Sequence, residues 1–358
     1  MRRIQRLVVM AGSVLLCLTL PGCATGSAND AYGGSQPPAL PTATCPSGIC
    51  PTPALGGVSG VQVFVEPMAG ETPVRHAIRS AQRTVWVEVY LLTDHAVIYA
   101  LEDAAQRGVD VRVMLEANPY GSGATSPQQT LQELKASGVK AETANPAFHY
   151  THEKAIIVDG AMLLVLTANL TKSGLGGSSY AENREYGVID TAAKDVREAA
   201  AIFTADWQRT APTVDDPNLV VSPVNARAML AAFIASAHST LIVEDEEMYD
   251  PATEDALVAA ARRGVQVEVA LPAPNGSTSG SDVARLVQSG VHVRYVSAVY
   301  MHAKMMVADG KLGFVGSENF SANSLDDNRE LGILISGSSA LAILQQTFTQ
   351  DWSGAQSA

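Results

Sequence analysis

The sequence predicts an α/β fold made of two similar halves, each with a mainly parallel sheet. Strand-like and helix-like patterns alternate along the chain, which favours a sheet covered by helices on both faces. The chain also repeats itself: SAQRTVWVEVYLL at 80–92 aligns with SAHSTLIVEDEEM at 236–248, and AQRGVDVRVML at 105–115 aligns with ARRGVQVEVAL at 261–271. Such a repeat indicates two copies of one structural unit.

The first residues are typical of a secretory signal. Three arginines within the first six residues precede an apolar run from Leu7 to Leu20, which is too short for a typical membrane span. The run ends in LPGC, which resembles the cleavage box of a bacterial lipoprotein. The resemblance implies that residues 1–22 are a signal peptide and that Cys23 carries lipid; an ordinary cleaved signal is the alternative. We therefore expect an exported protein, anchored to a membrane of the cell envelope through Cys23.

Residues 23–59 form a predicted flexible tether. They are rich in Pro, Gly, Ser, Thr and Ala and contain almost no large apolar residue. In an exported protein, Cys45 and Cys50 favour a small disulfide loop, with free thiols as the alternative. A metal site would need further His or Cys ligands nearby, which this stretch lacks.

The rest of the chain divides near Thr210–Asn218, which is rich in Pro and Asp, into halves at 60–212 and 213–358. Each half is predicted to run strand, helix, strand, helix, strand, helix, a cluster of strands and a closing helix. Gly108 and Gly264 are predicted helix stops. The first predicted elements are strands at Val61–Val65, Val85–Leu92 and Val109–Leu115 and helices at Pro73–Ala81 and Ala96–Arg107.

Two glycine- or serine-rich segments follow predicted strands. Gly121-Ser122-Gly123 lacks the Gly-Lys-Ser/Thr ending of a phosphate-binding loop. We interpret it, and Pro274–Ser281 in the second half, as flexible loops where substrate could pass.

Two matching hairpins carry the polar residues of one candidate site. The stretches His152–Asn169 and His302–Asn319 both contain a Lys two residues after the His, an Asp-Gly pair and a final Asn. An apolar strand, an Asp-Gly turn and a second apolar strand predict a β-hairpin. Side chains two apart on a strand share a face. The polar residues placed together in this way are His152, Lys154, Thr167 and Asn169, and His302, Lys304, Ser317 and Asn319.

This polar face suits an anion. A His-Lys pair on an apolar strand is costly to bury without a partner, and a bound phosphate would supply one. A single His-x-Lys is typical of an exposed strand edge with snorkelling cations, but two copies with equal offsets favour one shared site. Neither motif has the Asp, Glu and His spacing of a metal site, so we expect no metal and no other cofactor.

The pattern His-x-Lys-x4-Asp followed by Gly-Ser-x-Asn resembles the doubled motif of the phospholipase D superfamily. The second copy matches through Gly316-Ser317-Glu318-Asn319, whereas the first has Leu166-Thr167-Ala168-Asn169, with Leu in place of Gly. The resemblance covers most of the chain after about residue 60. It implies two α/β halves related by a pseudo-twofold, with one active site between them, and we expect a monomer.

The resemblance also implies roles for the site residues. By analogy, His152 is the nucleophile that forms a phosphohistidine and His302 is the acid. Lys154, Lys304, Asn169 and Asn319 would bind the phosphate. Glu185 and Glu330 would orient the imidazoles, with solvated loop acids as the alternative. Asp159 and Asp309 lie on the opposite strand face, and we expect them to hold the turns without touching substrate.

Charge helps to rank the possible functions. Without the three arginines of the signal, 21 basic residues face 36 acidic ones, a net charge of −15, and no basic footprint for nucleic acid is visible. We put first a phospholipase D that hydrolyses phospholipid head groups beside its anchor. A nuclease outside the cytoplasm comes second. A phosphatidyl transferase of the cardiolipin synthase kind comes third, since the multiple membrane spans usual there are absent; a surface protein without catalysis is the least favoured.

Overall fold

The computed structural model describes residues 52–120, 127–178, 182–274 and 280–358. The predicted signal peptide, Cys23, Cys45, Cys50 and the loop at 121–123 lie outside the described residues, as do most of the tether and residues 275–279. Within the described ranges, no helix combines the length and the apolar character needed to cross a membrane.

The first half has the predicted order of elements. Its strands and helices are β1 (Gln62–Glu66), α1 (Thr72–Ser80), β2 (Thr84–Val89), α2 (His95–Gln106), β3 (Asp110–Leu115), α3 (Pro127–Ala136), β4 (Lys140–Thr143), β5 (Lys154–Val158), β6 (Met162–Leu166), β7 (Asn183–Asp190) and α4 (Ala193–Trp207). The predicted helix stops are confirmed: Gly108 and Gly264 have φ of +91° and +92°, left-handed values that favour glycine after a helix.

The second half repeats this order with small additions. Its elements are β8 (Leu219–Ser222), α5 (Ala226–Ser236), β9 (Thr240–Asp245), α6 (Pro251–Arg262), β10 (Gln266–Pro272), α7 (Gly280–Gln288), β11 (His292–Val296), β12 (Tyr300–Met301), β13 (Lys304–Ala308), β14 (Leu312–Gly316), α8 (Ala322–Asp326), β15 (Glu330–Ile335), α9 (Ser338–Gly354) and β16 (Gln356–Ser357). Each half forms its own sheet, so two similar α/β halves are present as predicted.

The expectation of mainly parallel sheets is wrong. The strand orders are β1-β7-β6-β5-β2-β3-β4 and β16-β11-β10-β9-β13-β14-β15-β8. Within these two orders only β2–β3, β3–β4, β9–β10 and β10–β11 are parallel, and the other neighbours are antiparallel. Helical crossovers through α2, α3, α6 and α7 connect those four parallel pairs. Hairpins and returning strands fill the rest of each sheet, and such connections give antiparallel pairs.

The two halves are joined by shared structure. Strand β12 of the second half pairs with β7 of the first, and Thr151 forms a bridge with Arg329. A hydrophobic core with members from both halves, including Phe203 and Phe348, fills the space between them. Val58, within the predicted tether, is buried and bridges to Ile335, so the packed part of the chain begins before residue 60.

The two predicted hairpins are confirmed, as β5–β6 and β13–β14. At the first turn Asp159 and Gly160 have φ of +54° and +61°. The Asp159 carboxylate accepts hydrogen bonds from the backbone N–H groups of Gln82, Arg83 and Thr84 at 2.9, 2.7 and 2.8 Å. Asp309 accepts the corresponding bonds from residues 238–240. Both carboxylates therefore fasten a turn to the start of the neighbouring strand.

Replacing Asp159 should affect stability rather than chemistry. We expect Asp159→Ala to lower the free energy of unfolding by about 1–3 kcal/mol, because backbone amides lose a charged acceptor. Asp159→Asn is the matched control, since it keeps one acceptor oxygen and tolerates positive φ, and its loss should be smaller. Denaturant unfolding measures both, and unchanged stability of Asp159→Ala would contradict the assignment.

Candidate active site

The two motif histidines are oriented by carboxylates from the opposite halves. His152 Nδ1 lies 2.9 Å from Glu330 Oε2, and His302 Nδ1 lies 2.7 Å from Glu185 Oε1. The backbone explains this exchange: the N–H of His152 donates to the carbonyl of Arg329 at 2.9 Å. The segment that follows each motif therefore runs beside the His of the other half.

Each orienting carboxylate is fully buried and held by neighbouring donors. Thr167 Oγ1 donates to Glu185 Oε2 at 2.6 Å, and Asn183 Nδ2 donates to Glu185 Oε1 at 3.0 Å. In the second half, Ser324 Oγ and Asn328 Nδ2 donate to Glu330 Oε1 at 2.8 and 3.1 Å. The supporting hydroxyl of Thr167 thus acts on His302 of the other half, through Glu185. Ser317 holds the matching place in the second half: its hydrogen bond helps to lower the pKa of Glu330, and its Oγ accepts from the backbone N–H of Leu331 at 3.1 Å.

The arginines next to these glutamates also cross between halves. Arg184 Nη2 lies 2.8 Å from Asp351 Oδ1 at the end of α9. Arg329 Nε lies 2.8 Å from Asp206 Oδ2 at the end of α4. All four side chains are buried, where removal of one partner from a salt bridge leaves an uncompensated charge. Each Asn-Arg-Glu segment therefore clamps the closing helix and orients the histidine of the opposite half.

The two lysines are fully buried beside the histidines and differ in charge environment. Their Nζ atoms donate to the carbonyls of His152 and His302, both at 2.6 Å. Burial lowers the pKa of Lys154 to about 7, with Glu330 opposing and Lys304 adding to the decrease. Burial also acts against the charge of Lys304, but Glu246 and Glu185 outweigh it and raise the pKa of Lys304.

The same environment favours a neutral His152. Burial lowers the pKa of His152, and the charges of Lys154 and Lys304 lower it further, against the opposing effect of Glu330. The charge of Lys304 in the second motif affects the pKa of His152 in the first, so both motifs belong to one electrostatic site. With Nδ1 bound to Glu330, Nε2 of a neutral imidazole is the nitrogen with a lone pair for attack.

The side-chain amides of the two motif asparagines are not fully hydrogen-bonded within the described residues. Among the described residues, the buried Oδ1 atoms of Asn169 and Asn319 have no hydrogen-bond donor. The Leu at 166 does not disturb the backbone, because Leu166 pairs with Gly187 as Gly316 pairs with Gly332. A Cβ at Gly316 would meet the Glu318 carboxylate at 2.2 Å. The first half has Ala168 at the position of Glu318, so no such carboxylate opposes Leu166.

Sequence reasoning missed Glu246 and Tyr90, which occupy equivalent positions at the ends of β9 and β2. Glu246 Oε2 lies 2.9 Å from Lys304 Nζ and 3.3 Å from His302 Nε2. The Tyr90 ring lies edge-on to His152, with 4.8 Å between centroids, and its centroid is 5.7 Å from Lys154 Nζ. The alignment of 80–92 with 236–248 already matches these two positions. The replacement of an aromatic residue by an acid there was the signal that the sequence offered.

A second group of acids lies buried near the His152 strand. Carboxylate oxygens of Glu88, Glu153 and Asp206 lie within 4.8 Å of one another. Burial and the nearby acids raise the pKa of Glu88 and of Glu153, while Arg329 opposes the increase. Glu244 is the counterpart of Glu88 in the second half, and it accepts a 2.6 Å hydrogen bond from the hydroxyl of Tyr186 in the first half.

Two imidazoles, each held by a carboxylate, together with two lysines and two asparagines, define an enzyme site for a phosphodiester. The chain belongs to the phospholipase D superfamily: the family described as "Cardiolipin synthase, PLD-like domain" matches residues 74–207 and 230–352, more than half of the chain. The two matched ranges correspond to the two halves of the fold.

Known relatives include lipid and nucleic-acid enzymes. A probable cardiolipin synthase, YwiE of Bacillus subtilis (strain 168), is 23% identical over 314 residues, covering 77% of this chain and 62% of the relative. The chain therefore spans less than two thirds of that relative's length. The 5'-3' exonuclease PLD3 of Macaca fascicularis is 32% identical, but over 120 residues, 30% of this chain and 24% of the relative.

A solved structure shares the fold. Phosphatidylserine synthase from Haemophilus influenzae Rd KW20 superimposes with a TM-score of 0.63 at 12% identity, covering 83% of this chain and 87% of that chain. At this identity the likeness supports the two-half architecture alone.

The low pKa of Lys154 makes a testable prediction about pH. Lys154 carries its charge below about pH 7 and loses it above. We expect kcat/KM on a phosphodiester to fall as pH rises through about 7, since a neutral amine binds phosphate poorly. Lys154→Arg stays charged, so it should remove this descending limb at reduced activity. A limb of unchanged position in that variant would assign it to another group.

Proposed function

We propose that this enzyme transfers a phosphatidyl group between alcohols at the head group of a phospholipid, as in cardiolipin synthesis. Hydrolysis, which the sequence analysis put first, uses the same intermediate with water as acceptor and becomes the alternative. The family and the cardiolipin synthase relatives support transfer. The observation that carries the chemistry is the crossed pair of carboxylate-bound histidines.

In the first step, His152 Nε2 would attack phosphorus and the bond to the head-group oxygen would break. Burial and the two lysines favour the neutral, nucleophilic form of His152 by lowering its pKa. Lys154, Lys304 and the asparagine amides would neutralise the charge on the non-bridging oxygens. The product is a phosphohistidine at His152.

His302 would move the protons. It would donate its Nε2 proton to the departing oxygen, so that the head group leaves as a neutral alcohol. In the second step, His302 would accept a proton from the incoming hydroxyl, whose oxygen attacks phosphorus and releases His152. An alcohol on a second lipid gives transfer, whereas water gives hydrolysis, and the protein groups are the same in both.

The charges near the site favour lipid over nucleic acid. Glu246 lies 3.3 Å from His302 Nε2, on the side from which the leaving group would depart, and Glu247 follows it in the chain. A nucleic acid would bring further phosphates towards these acids, whereas a glycerol head group would bring hydroxyl donors. The net charge of −15 without the signal arginines acts in the same direction.

Phosphatidylglycerol vesicles test the choice between transfer and hydrolysis. We expect the purified protein to form cardiolipin and free glycerol in equal amounts, because one lipid's glycerol attacks the other's phosphatidyl group. Mass spectrometry of the lipids and enzymatic detection of glycerol measure both products, and His152→Ala is the inactive control. Phosphatidic acid as the sole lipid product would replace transfer with hydrolysis, and digestion of single-stranded DNA with intact lipids would support a nuclease.

The order of the two histidines can be tested by trapping the intermediate. On a phosphodiester with a good leaving group, His302→Ala should still form a phosphohistidine at residue 152, because such a group departs without a proton. On ordinary substrates the same variant should lose ~10²–10⁴-fold in rate. Peptide mapping by mass spectrometry locates the adduct. An adduct at His302 in the complementary His152→Ala variant would reverse the assignment.

A further inference from the structure

The site breaks its own symmetry at one position. In the first half an aromatic ring, Tyr90, lies against His152 and Lys154. The equivalent residue in the second half is Glu246, whose carboxylate contacts both His302 and Lys304. The two otherwise matching His-Lys pairs therefore differ: the first faces a neutral aromatic ring and the second faces a carboxylate.

Glu246 is held in this position from several directions. Its Oε2 atom accepts a hydrogen bond from Lys304 Nζ at 2.9 Å and lies 3.3 Å from His302 Nε2. Its Oε1 atom accepts a hydrogen bond from the Tyr300 hydroxyl at 3.0 Å. Burial raises the pKa of Glu246, but the charges of His302 and Lys304 outweigh burial and hold it well below the usual value. The carboxylate is thus ionised and accepts hydrogen bonds without donating any.

The position of Glu246 coincides with that of the expected substrate. A non-bridging phosphate oxygen would accept a hydrogen bond from the Lys304 ammonium, and the leaving oxygen would accept one from His302 Nε2. One carboxylate oxygen already occupies both contacts. An ionised carboxylate and a phosphodiester cannot share these donors without strong repulsion at this distance.

The same contact fixes protons on His302. Glu185 Oε1 lies 2.7 Å from the Nδ1 nitrogen, and Glu246 Oε2 lies 3.3 Å from the Nε2 nitrogen. Two acceptor-only carboxylates can both be satisfied only when both ring nitrogens carry hydrogen, which is the imidazolium. Among the described residues, His152 has a carboxylate on Nδ1 only, so its two nitrogens are free to differ.

We propose that Glu246 is an internal competitor for the phosphate subsite at Lys304 and His302, and that it keeps a proton on His302 Nε2 until substrate displaces it. This step rests on the proposed function for the identity of the substrate, but the competition concerns any phosphate. Glu246 is then the residue that makes the two histidines unequal: His302 starts as the proton donor and His152 as the nucleophile.

Charged and titratable groups from several elements around His302 enter this balance. They include Glu185 on β7, Tyr300 on β12, Lys304 on β13 and Glu246 after β9. Lys154 on β5 adds its charge through its interactions with Lys304, Glu185 and Glu246. Only Glu246 contacts the Nε2 nitrogen among the described residues. Its removal therefore changes the proton-bearing end of the ring and leaves the Glu185 contact in place.

Binding of inorganic phosphate to the free protein tests the competition without any assumption about the true substrate. We expect Glu246→Gln to bind phosphate at least ~10-fold more tightly than the wild type by calorimetry, because a like charge a few ångströms away is removed. Glu247→Gln is the matched control: it makes the same substitution one residue along, at an acid for which no hydrogen bond to His302 or Lys304 is described. It should change the affinity much less.

Turnover tests the second part of the proposal. Glu246→Gln should be slowed ~10-fold or more on an ordinary phosphodiester, yet slowed little on a nitrophenyl phosphodiester, which needs no proton on its leaving group. A merely structural loss would slow both substrates equally and would weaken phosphate binding. Glu246→Tyr, which copies the first half at this position, should reproduce both effects.

The results separate this proposal from the proposed function. Unchanged or weaker phosphate binding by Glu246→Gln would overturn the competition, whatever the protein does to lipids. Equal slowing on both substrates would overturn the proton role. If phosphate binds more tightly to Glu246→Gln while phosphatidylglycerol stays intact with the wild type, the competition stands and the assigned substrate is wrong.

Discussion

The site depends on one constraint: each half supplies the buried counter-charges that the other half needs. Glu185 and Glu330 lie on the histidines across the interface, and the adjacent Arg184 and Arg329 pair with aspartates of the opposite closing helices. Buried charges without partners are costly, so the histidines, lysines and arginines are compatible with folding only when the halves are docked. The assembly of the active site and the assembly of the molecule are therefore the same event.

Within this exchange, the two halves differ at residues in and around the motifs. In the aligned sequence, Tyr90 corresponds to Glu246, Glu153 to Ala303 and Ala168 to Glu318. The residues that the halves share bring two imidazoles, two lysines and two asparagines into the site, and cleavage of any phosphodiester would use this set of groups. The differing residues give the two imidazoles separate environments. A two-step displacement needs that difference, because the nucleophilic histidine must start with a free nitrogen lone pair and the acidic histidine must start with a proton on its Nε2 nitrogen.

The sequence was sufficient for what local pattern and repetition determine. Alternation on the hairpin strands placed His152 beside Lys154, and the repeat placed His302 beside Lys304. It could not show the direction of the remaining strands, because only the helical crossovers and the two Asp-Gly hairpins have a clear signature, and the longer returning segments decide the rest. The partner of each glutamate was also hidden, since Glu330 and His152 are 178 residues apart and their meeting follows from the docking of the halves. Glu246 was visible as a mismatch in the repeat, but its contacts depend on where β9 ends.

Burial resolves an apparent excess of acid around the two lysines. Glu244 and Asp245 lie buried on β9, next to the strand of Lys304. Burial raises the pKa of Glu244 to about 8 and that of Asp245 well above its usual value, so burial disfavours the charged form of both acids beside the lysine. Glu330 and Glu246 touch cations directly, and these contacts lower the pKa of both acids against the effect of burial. A phosphodiester that displaces Glu246 brings a negative charge to a site where the pKa of Lys154 is only about 7. An adjacent anion favours the ammonium form, so binding of substrate draws the missing proton onto Lys154 and completes the positive charge of the site.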